Sequence, residues 1–165
     1  MGNMISKTIA TDPAIAYTYD NLDRLTGVDY PDVTDIDVTY TYDKNSNVES
    51  VANSISQRIN SYDENDNLLS EAVTVSGTAY TLGYQYSLLD VLSTLTYPSL
   101  RQVSYAPDTL GRPTAVSPYL PQVSYHPSGQ VKQMVYANGH VTDIALNNRL
   151  FVQRINTLGA VDLSY

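Results

Sequence analysis

Tyr17-Thr18-Tyr19-Asp20-Asn21-Leu22-Asp23-Arg24-Leu25-Thr26 sets two tyrosines two positions apart, follows them with an acid and a short polar stretch, and ends on an apolar residue. Residues two apart share one face of a strand, so Tyr17 and Tyr19 begin a row. The Asp20 carboxylate can accept hydrogen bonds from backbone N–H groups two or so residues on. The Asn, Asp or Gly that comes next tolerates the left-handed conformation of a tight turn. The stretch therefore reads as a strand, a turn and a returning strand.

This pattern recurs to the end of the chain. Copies begin at Tyr19-Asp20, Tyr42-Asp43, Tyr62-Asp63, Tyr86-Ser87, Pro107-Asp108, Tyr125-His126 and Ile144-Ala145, spaced by 18 to 24 residues. Three positions after the Asp or its equivalent comes Asp23, Ser46, Asp66, Asp90, Gly111, Gly129 or Asn148, and the next position holds Arg24, Asn47, Asn67, Val91, Arg112, Gln130 or Arg149. An apolar residue or proline follows, often with a second apolar residue three places later, as in Leu25 and Val28 or Val48 and Val51. Self-similarity at a short fixed period marks one supersecondary unit reused along an array, each copy burying its apolar face on its neighbours. The expected fold is all-β: consecutive antiparallel β-hairpins forming a curved or partly closed sheet.

One hairpin can be placed by its turn. Between Val131 and Ile144 the Asn138-Gly139 dipeptide signals a two-residue type I′ turn. That register pairs Ala137 with His140, Tyr136 with Val141 and Val135 with Thr142. It puts Val131, Val135, Ala137, His140, Thr142 and Ile144 on one face, the expected core side, and Lys132, Met134, Tyr136, Val141 and Asp143 on the other.

The copies at Tyr17–Thr26 and at Asp108-Thr109-Leu110-Gly111-Arg112-Pro113-Thr114 resemble the YD-repeat, or Rhs-repeat, family, whose unit is Tyr-x-Tyr-Asp-x-x-Gly-Arg-Leu. The resemblance covers residues 17–165 as one β-sheet domain of about seven repeats, with residues 1–16 as a lead-in. It implies a sheet of the kind that spirals into a hollow shell in long members, such as bacterial toxins and animal teneurins, and an extracellular or cell-surface location. This sequence has no tryptophan and no segment like the one that closes the shell of toxin members, so autoproteolysis and toxin delivery are not expected of it. Val161-Asp162-Leu163-Ser164-Tyr165 reads as the first half of a further copy, as in a fragment or shortened relative of a longer array.

Composition narrows the partners. With 9 Lys plus Arg against 17 Asp plus Glu the net charge is −8, and no basic cluster occurs. Phosphate backbones and anionic lipid surfaces repel such a chain, so nucleic acid is not an expected partner. No apolar run is long enough for membrane insertion, and Met1-Gly2-Asn3-Met4-Ile5-Ser6-Lys7 does not read as a signal peptide. Zero cysteines exclude disulfides and thiolate metal sites. Asp63-Glu64-Asn65-Asp66-Asn67 lacks the glycine and terminal glutamate of an EF-hand loop and reads as turn chemistry. No cofactor or metal is expected. The aromatic residues are 15 tyrosines and one phenylalanine, which suits half-buried sheet faces whose hydroxyls reach water or a partner.

No nucleophile elbow, phosphate loop or zinc motif is present. The candidate catalytic residues are Tyr125, His126, Tyr136, Asn138, His140 and Arg149, grouped in the last hairpins. His126 occupies a repeat Asp position and His140 follows a turn, so each has a structural explanation of its own. Together they have the chemistry for β-elimination on a uronic-acid polysaccharide. Asn138 or Arg149 would neutralise the sugar carboxylate, His140 or His126 would take the C5 proton, and Tyr136 or Tyr125 would protonate the leaving oxygen. The competing class needs no catalyst: a structural or carbohydrate-interacting scaffold whose tyrosine rows stack on sugars or on another layer. The scaffold is the leading expectation, a small polysaccharide lyase the alternative, and an acidic polysaccharide the candidate ligand of either. Open sheet edges predict self-association.

Overall fold

The structure, a computed structural model, describes residues 2–8, 14–31, 37–158 and 161–164, and all of these that are regular are strand. The strands are β1 (Ser6–Lys7), β2 (Ile15–Tyr19), β3 (Leu25–Asp29), β4 (Val38–Tyr42), β5 (Val48–Ala52), β6 (Ser56–Tyr62), β7 (Leu68–Val75), β8 (Thr78–Tyr86), β9 (Leu92–Thr96), β10 (Gln102–Ser104), β11 (Gln122–Tyr125), β12 (Val131–Val135), β13 (Val141–Leu146), β14 (Val152–Thr157) and β15 (Val161–Ser164). Each strand lies beside its sequence neighbour, β1 to β10 in one sheet and β11 to β15 in a second. The fold is thus all-β, two antiparallel sheets of consecutive hairpins. The lead-in supplies β1 and the start of β2, with Ser6 opposite Ala16 and Lys7 opposite Ile15. By internal contacts the chain divides into two units, Met1–Gly83 and Tyr84–Tyr165.

In the first unit the pairing sorts side chains by face. Tyr17 lies opposite Val28, Val28 opposite Val38, Tyr40 opposite Val51 and Tyr42 opposite Val48. Tyrosine and β-branched residues thus share one face. Thr18, Thr41, Ser50, Ser61 and Ser70 point the other way and pair hydroxyl to hydroxyl, Thr41 with Ser50 at 2.7 Å and Ser61 with Ser70 at 2.6 Å. Alternation of period two creates this division, and a one-residue slip would reverse it.

The three-place spacing of the apolar pairs has a structural cause. Tyr19 lies opposite Leu25 and Thr18 opposite Gly27, so Thr26 is an extra residue on the returning strand. The same shift follows the turn in the β4–β5, β6–β7, β11–β12 and β13–β14 pairs. Each is a β-bulge one step beyond a turn, and it returns Val28 to the face of Tyr17.

In the second unit Val103 and Val123 are buried and Thr142 is buried beside Thr157, with their hydroxyls 2.7 Å apart. Between β10 and β11 the chain is tied by bridges: Ser104 with Ser117, Pro107 with Pro113 and Val116 with Leu120. Val28, Val103 and Val123 are the buried hydrophobic residues among those described, and no large side chain is fully buried. Burying a valine contributes roughly 2 kcal/mol, so three of them make a small core for a chain of 165 residues.

Two expectations are corrected. The Asn138-Gly139 turn is not a two-residue type I′ turn. Tyr136 N–H donates to His140 O and Gly139 N–H to Tyr136 O, each at 2.9 Å, closing a three-residue loop. Val135 therefore faces Val141, and Met134 faces Thr142. This one-residue slip moves Met134 and Tyr136 onto the face of His140, Thr142 and Ile144, and takes Val135 and Ala137 off it. A type I turn followed by one left-handed residue also accepts Asn-Gly, and here Gly139 alone has positive φ, at 86°.

The seventh copy begins at Leu146-Asn147 and not at Ile144-Ala145. Asn147 N–H donates to Phe151 O and Leu150 N–H to Asn147 O, and Leu150, not Asn148, is the left-handed residue, at φ 64°. Asn147 Oδ1 caps this loop by accepting the Arg149 and Phe151 N–H groups, whereas Ala145 lies inside β13 and has no side-chain acceptor to offer.

Candidate functional site

The recurring turn is the chemical unit of this protein. In each copy the first residue donates its N–H to the carbonyl four residues on, and the fourth donates its N–H back to the first. The first residues are Asp20, Asp43, Asp63, Ser87, Tyr97, Asp108, His126, Tyr136 and Asn147. The fourth residue has positive φ in every case: Asp23, Ser46, Asp66, Asp90, Leu100, Gly111, Gly129, Gly139 and Leu150.

The acid takes its hydrogen bonds from its own loop. Asp20 Oδ1 accepts from Leu22 N–H at 2.8 Å and Arg24 N–H at 3.0 Å, while Oδ2 accepts from Arg24 Nε at 2.7 Å. Asp43 and Asp63 use the N–H groups two and four residues on and the Asn47 and Asn67 amides in the same way. Asp108 takes a forked pair from Arg112, Nε at 2.9 Å and Nη2 at 2.7 Å. These carboxyls are more acidic than usual. For Asp20 and Asp63 the backbone N–H of Arg24 or Asn67 is the largest cause, and for Asp108 it is the Arg112 side chain. At Asp43 partial burial is the largest influence and opposes the change, but the donors of Asn47 and Asn45 together outweigh it.

The tyrosine preceding the acid ties one copy to the one before it. Tyr42 OH donates to Leu25 O at 2.8 Å, Tyr62 OH to Val48 O at 3.0 Å and Tyr125 OH to Pro113 O at 2.7 Å. Each carbonyl belongs to the residue just past the preceding loop. Arg24 adds a second tie, stacking 4.6 Å from the Tyr42 ring centre and donating Nη1 to Asp43 O and Ser46 Oγ. Arg112 stacks 4.3 Å from the Tyr125 ring centre. Asn45 and Asn47 both donate to Asp66 Oδ1.

The structure divides the six candidate catalytic residues into two groups at opposite ends of β12. Tyr125 ends β11 and His126 opens the β11–β12 turn, and Arg149 lies in the β13–β14 turn at that same end. His126 Nε2 meets Ile144 O at 2.8 Å, so this nitrogen donates to a neighbouring hairpin, while the Tyr125 hydroxyl is held by Pro113 O. Arg149 is exposed, its N–H given to Asn147 Oδ1. Tyr136, Asn138 and His140 lie in the β12–β13 turn, with Asn138 Oδ1 accepting the His140 N–H at 3.1 Å. A five-residue strand of about 17 Å separates the two ends. Tyr136, Asn138 and His140 do converge: with Thr142 and Thr157 they line a shallow pocket of about 210 Å3. Among the described residues no three His, Asp or Glu side chains are grouped to hold a metal ion.

The turns at Tyr97 and Tyr136 escape a search for Tyr-Asp because each has tyrosine where the acid belongs. Their signal is weaker: a tyrosine with Arg101 or His140 four residues later, out of phase with the main period by about half a repeat. Arg101 and Tyr97 of the first of these turns meet Tyr119 of the segment between β10 and β11, none of them candidates from sequence, with the Arg101 guanidinium 4.7 Å from the Tyr97 ring centre and 5.7 Å from that of Tyr119.

No family model and no curated protein matches the sequence. Solved structures do. TcdB2-TccC3-Cdc42 is similar at a TM-score of 0.56 and 14% identity, over 99% of this chain and 11% of that one. The fold is shared with part of TcdB2-TccC3. The binary TcdB2-TccC3 structure matches 94% of this chain at a TM-score of 0.53 and 13% identity, and the form without the hypervariable C-terminal region matches 93% at 0.55 and 14%. This chain spans about 11% of the length of the chains it matches, and at such identity the likeness is one of fold.

Proposed function

We propose that this chain is a β-scaffold of the YD-repeat kind, one section of a larger shell or surface assembly, with tyrosine-bearing faces open to carbohydrate. The observation that carries this reading is the turn itself. Its acid closes its own loop, while the preceding tyrosine and donors such as Arg24 and Asn47 reach the neighbouring copy, which is what an extending array requires. The sparse core and the likeness to a small part of TcdB2-TccC3 support membership in something larger. An extracellular or cell-surface place goes with this reading, as does self-association through exposed strands such as β15, the edge of its sheet.

Sedimentation velocity over a range of concentrations, combined with hydrogen exchange, tests it. Growth in mass with concentration, with slowed exchange at β15, is the expected result. A monomer at every concentration with unprotected β15 amides would contradict edge pairing. The lyase reading is favoured by one observation, the convergence of Tyr136, Asn138 and His140 on one pocket. Incubation with pectate, alginate, hyaluronan and glucuronan, read at the ultraviolet band of an unsaturated uronate, decides it. No rise on any of them removes the reading for those polymers, and a rise lost in His140→Ala supports it.

A further inference from the structure

Across the loops, the fifth position follows the first. Where the first residue is aspartate, the fifth is a donor that binds it: Arg24, Asn47, Asn67 or Arg112. Where the acid is replaced by Ser87, His126 or Asn147, the fifth is Val91, Gln130 or Phe151 and carries no charge. The Tyr97 loop breaks this rule. Its fifth residue is Arg101, a cation in the place where the loop would bind a carboxylate, with tyrosine in the place of the carboxylate.

The guanidinium is positioned all the same. It lies over two tyrosine rings, Tyr97 and Tyr119, which fix its plane, and among the described residues no acceptor takes its N–H fork. Arg24, Arg58, Arg112 and Arg154 each pair with an Asp or Glu, whereas among the described residues Arg101 is given no carboxylate. Tyr119 is 48% exposed and so offers a ring face to solvent. Its carbonyl accepts the Ala137 N–H at 2.9 Å, which ties the Tyr119 main chain to the second tyrosine loop, where Asn138 and His140 rim the shallow pocket. A planar cation, an exposed ring and two polar side chains thus occur together at one end of the second unit.

We propose that this end binds an acidic sugar: the Arg101 fork takes a uronate carboxylate, the Tyr119 ring takes the apolar face of the pyranose, and Asn138 and His140 take hydroxyls of the next residue. The ligand's carboxylate fills the place that aspartate fills in the other loops. This rests on the carbohydrate side of the proposed function and gives it a site and a ligand class; it requires no catalysis.

The test is a titration of the 15N-labelled full chain with tetragalacturonate and, separately, with its carboxyl-reduced counterpart and with acetate, following the Arg101 Nε–Hε signal and the Tyr119 ring signals. Saturable movement of both with tetragalacturonate, and of neither with the reduced sugar, is expected. Arg101→Gln should weaken binding about tenfold or more, the loss of one charge-assisted pair. Lys44→Gln, which removes an exposed charge from the first unit, should leave binding unchanged. An unmoved Arg101 signal, equal movement with the reduced sugar, or equal affinity for acetate overturns the proposal. If Arg101 is unmoved but the reduced sugar binds elsewhere, the carbohydrate reading survives without this site, and if neither sugar binds, both fall.

Discussion

Tyr42 reaches back 17 residues to give its phenolic hydrogen to the carbonyl of Leu25, 2.8 Å away. Removing only that hydroxyl leaves a part-buried carbonyl without its donor. Tyr42→Phe should therefore cost about 1 kcal/mol, read as a lower urea midpoint. Tyr80→Phe is the control, since Tyr80 is 52% exposed, and its midpoint should stay within error of the parent. Equal effects of the two changes would mean that the tyrosine ties contribute nothing specific.

The acid of the turn should tolerate an amide better than a methyl group. Asp108 Oδ1 accepts the Leu110 and Arg112 N–H groups, and Asn147 Oδ1 does the same for Arg149 and Phe151 in its own loop. Asp108→Asn keeps these two bonds and gives up the forked pair with Arg112, whereas Asp108→Ala loses all of them. The urea midpoint should fall in the order parent, Asn, Ala. A reversed order would show that charge, not backbone capping, is what this position supplies.

Acid should undo the array. Asp20, Asp43, Asp63 and Asp108 are all more acidic in the folded chain than an ordinary aspartate, as is Asp162, chiefly through its hydrogen bonds from the Arg154 side chain. In the unfolded chain these groups take up protons near pH 4, before the folded ones do. Their contribution is therefore complete above about pH 5, declines from about pH 4, and is lost as the pH falls through the lower folded values. Urea unfolding at a series of pH values should show a plateau from about pH 7 to 5 and a steep decline below 4. Unchanged stability down to about pH 2 would contradict the capping account.

The left-handed position offers a stabilising change. Leu100 adopts φ 64° while 82% exposed, so it has the strain of an L-residue in that region with little packing to offset it. Leu100→Gly removes roughly 1–2 kcal/mol of strain against roughly 0.5–1 kcal/mol of added chain entropy. A gain of about 0.5 kcal/mol, with a slightly higher melting temperature, is expected. Asp66→Gly should do the opposite, because Asp66 Oδ1 receives both Asn45 and Asn47.

Much of this architecture is legible in the residues themselves. The Tyr-x-Tyr alternation before Asp20, Asp43 and Ser87 identifies strands because period two is a local property, and the acid identifies turns because it caps its own loop. The final hairpins are harder to read. Asn138-Gly139 suits two loop lengths, and only the pairing of Met134 with Thr142 distinguishes them. Asn147 is half of an Asn-Asn pair, and nothing local says which asparagine caps. The site is less legible than the fold because its members come from separate loops. Arg101 and Tyr119 meet through the bridged segment between β10 and β11, whose course is set by Ser104–Ser117 and Val116–Leu120 pairing and not by any repeat. His126 and His140, close in sequence, are held at opposite ends of one strand.

The central claim is that, among the described residues, one three-residue loop closes nine hairpin ends, including the two led by tyrosine. Scalar couplings across hydrogen bonds, from each amide nitrogen to the carbonyl carbon it reaches, measure this directly. The expected spectrum joins Asp20 to Arg24, Tyr97 to Arg101 and Tyr136 to His140, with parallel peaks for the other loops. A coupling from Ala137 to His140 in place of the Tyr136 peak, or no couplings at the aspartate-led loops, would contradict it.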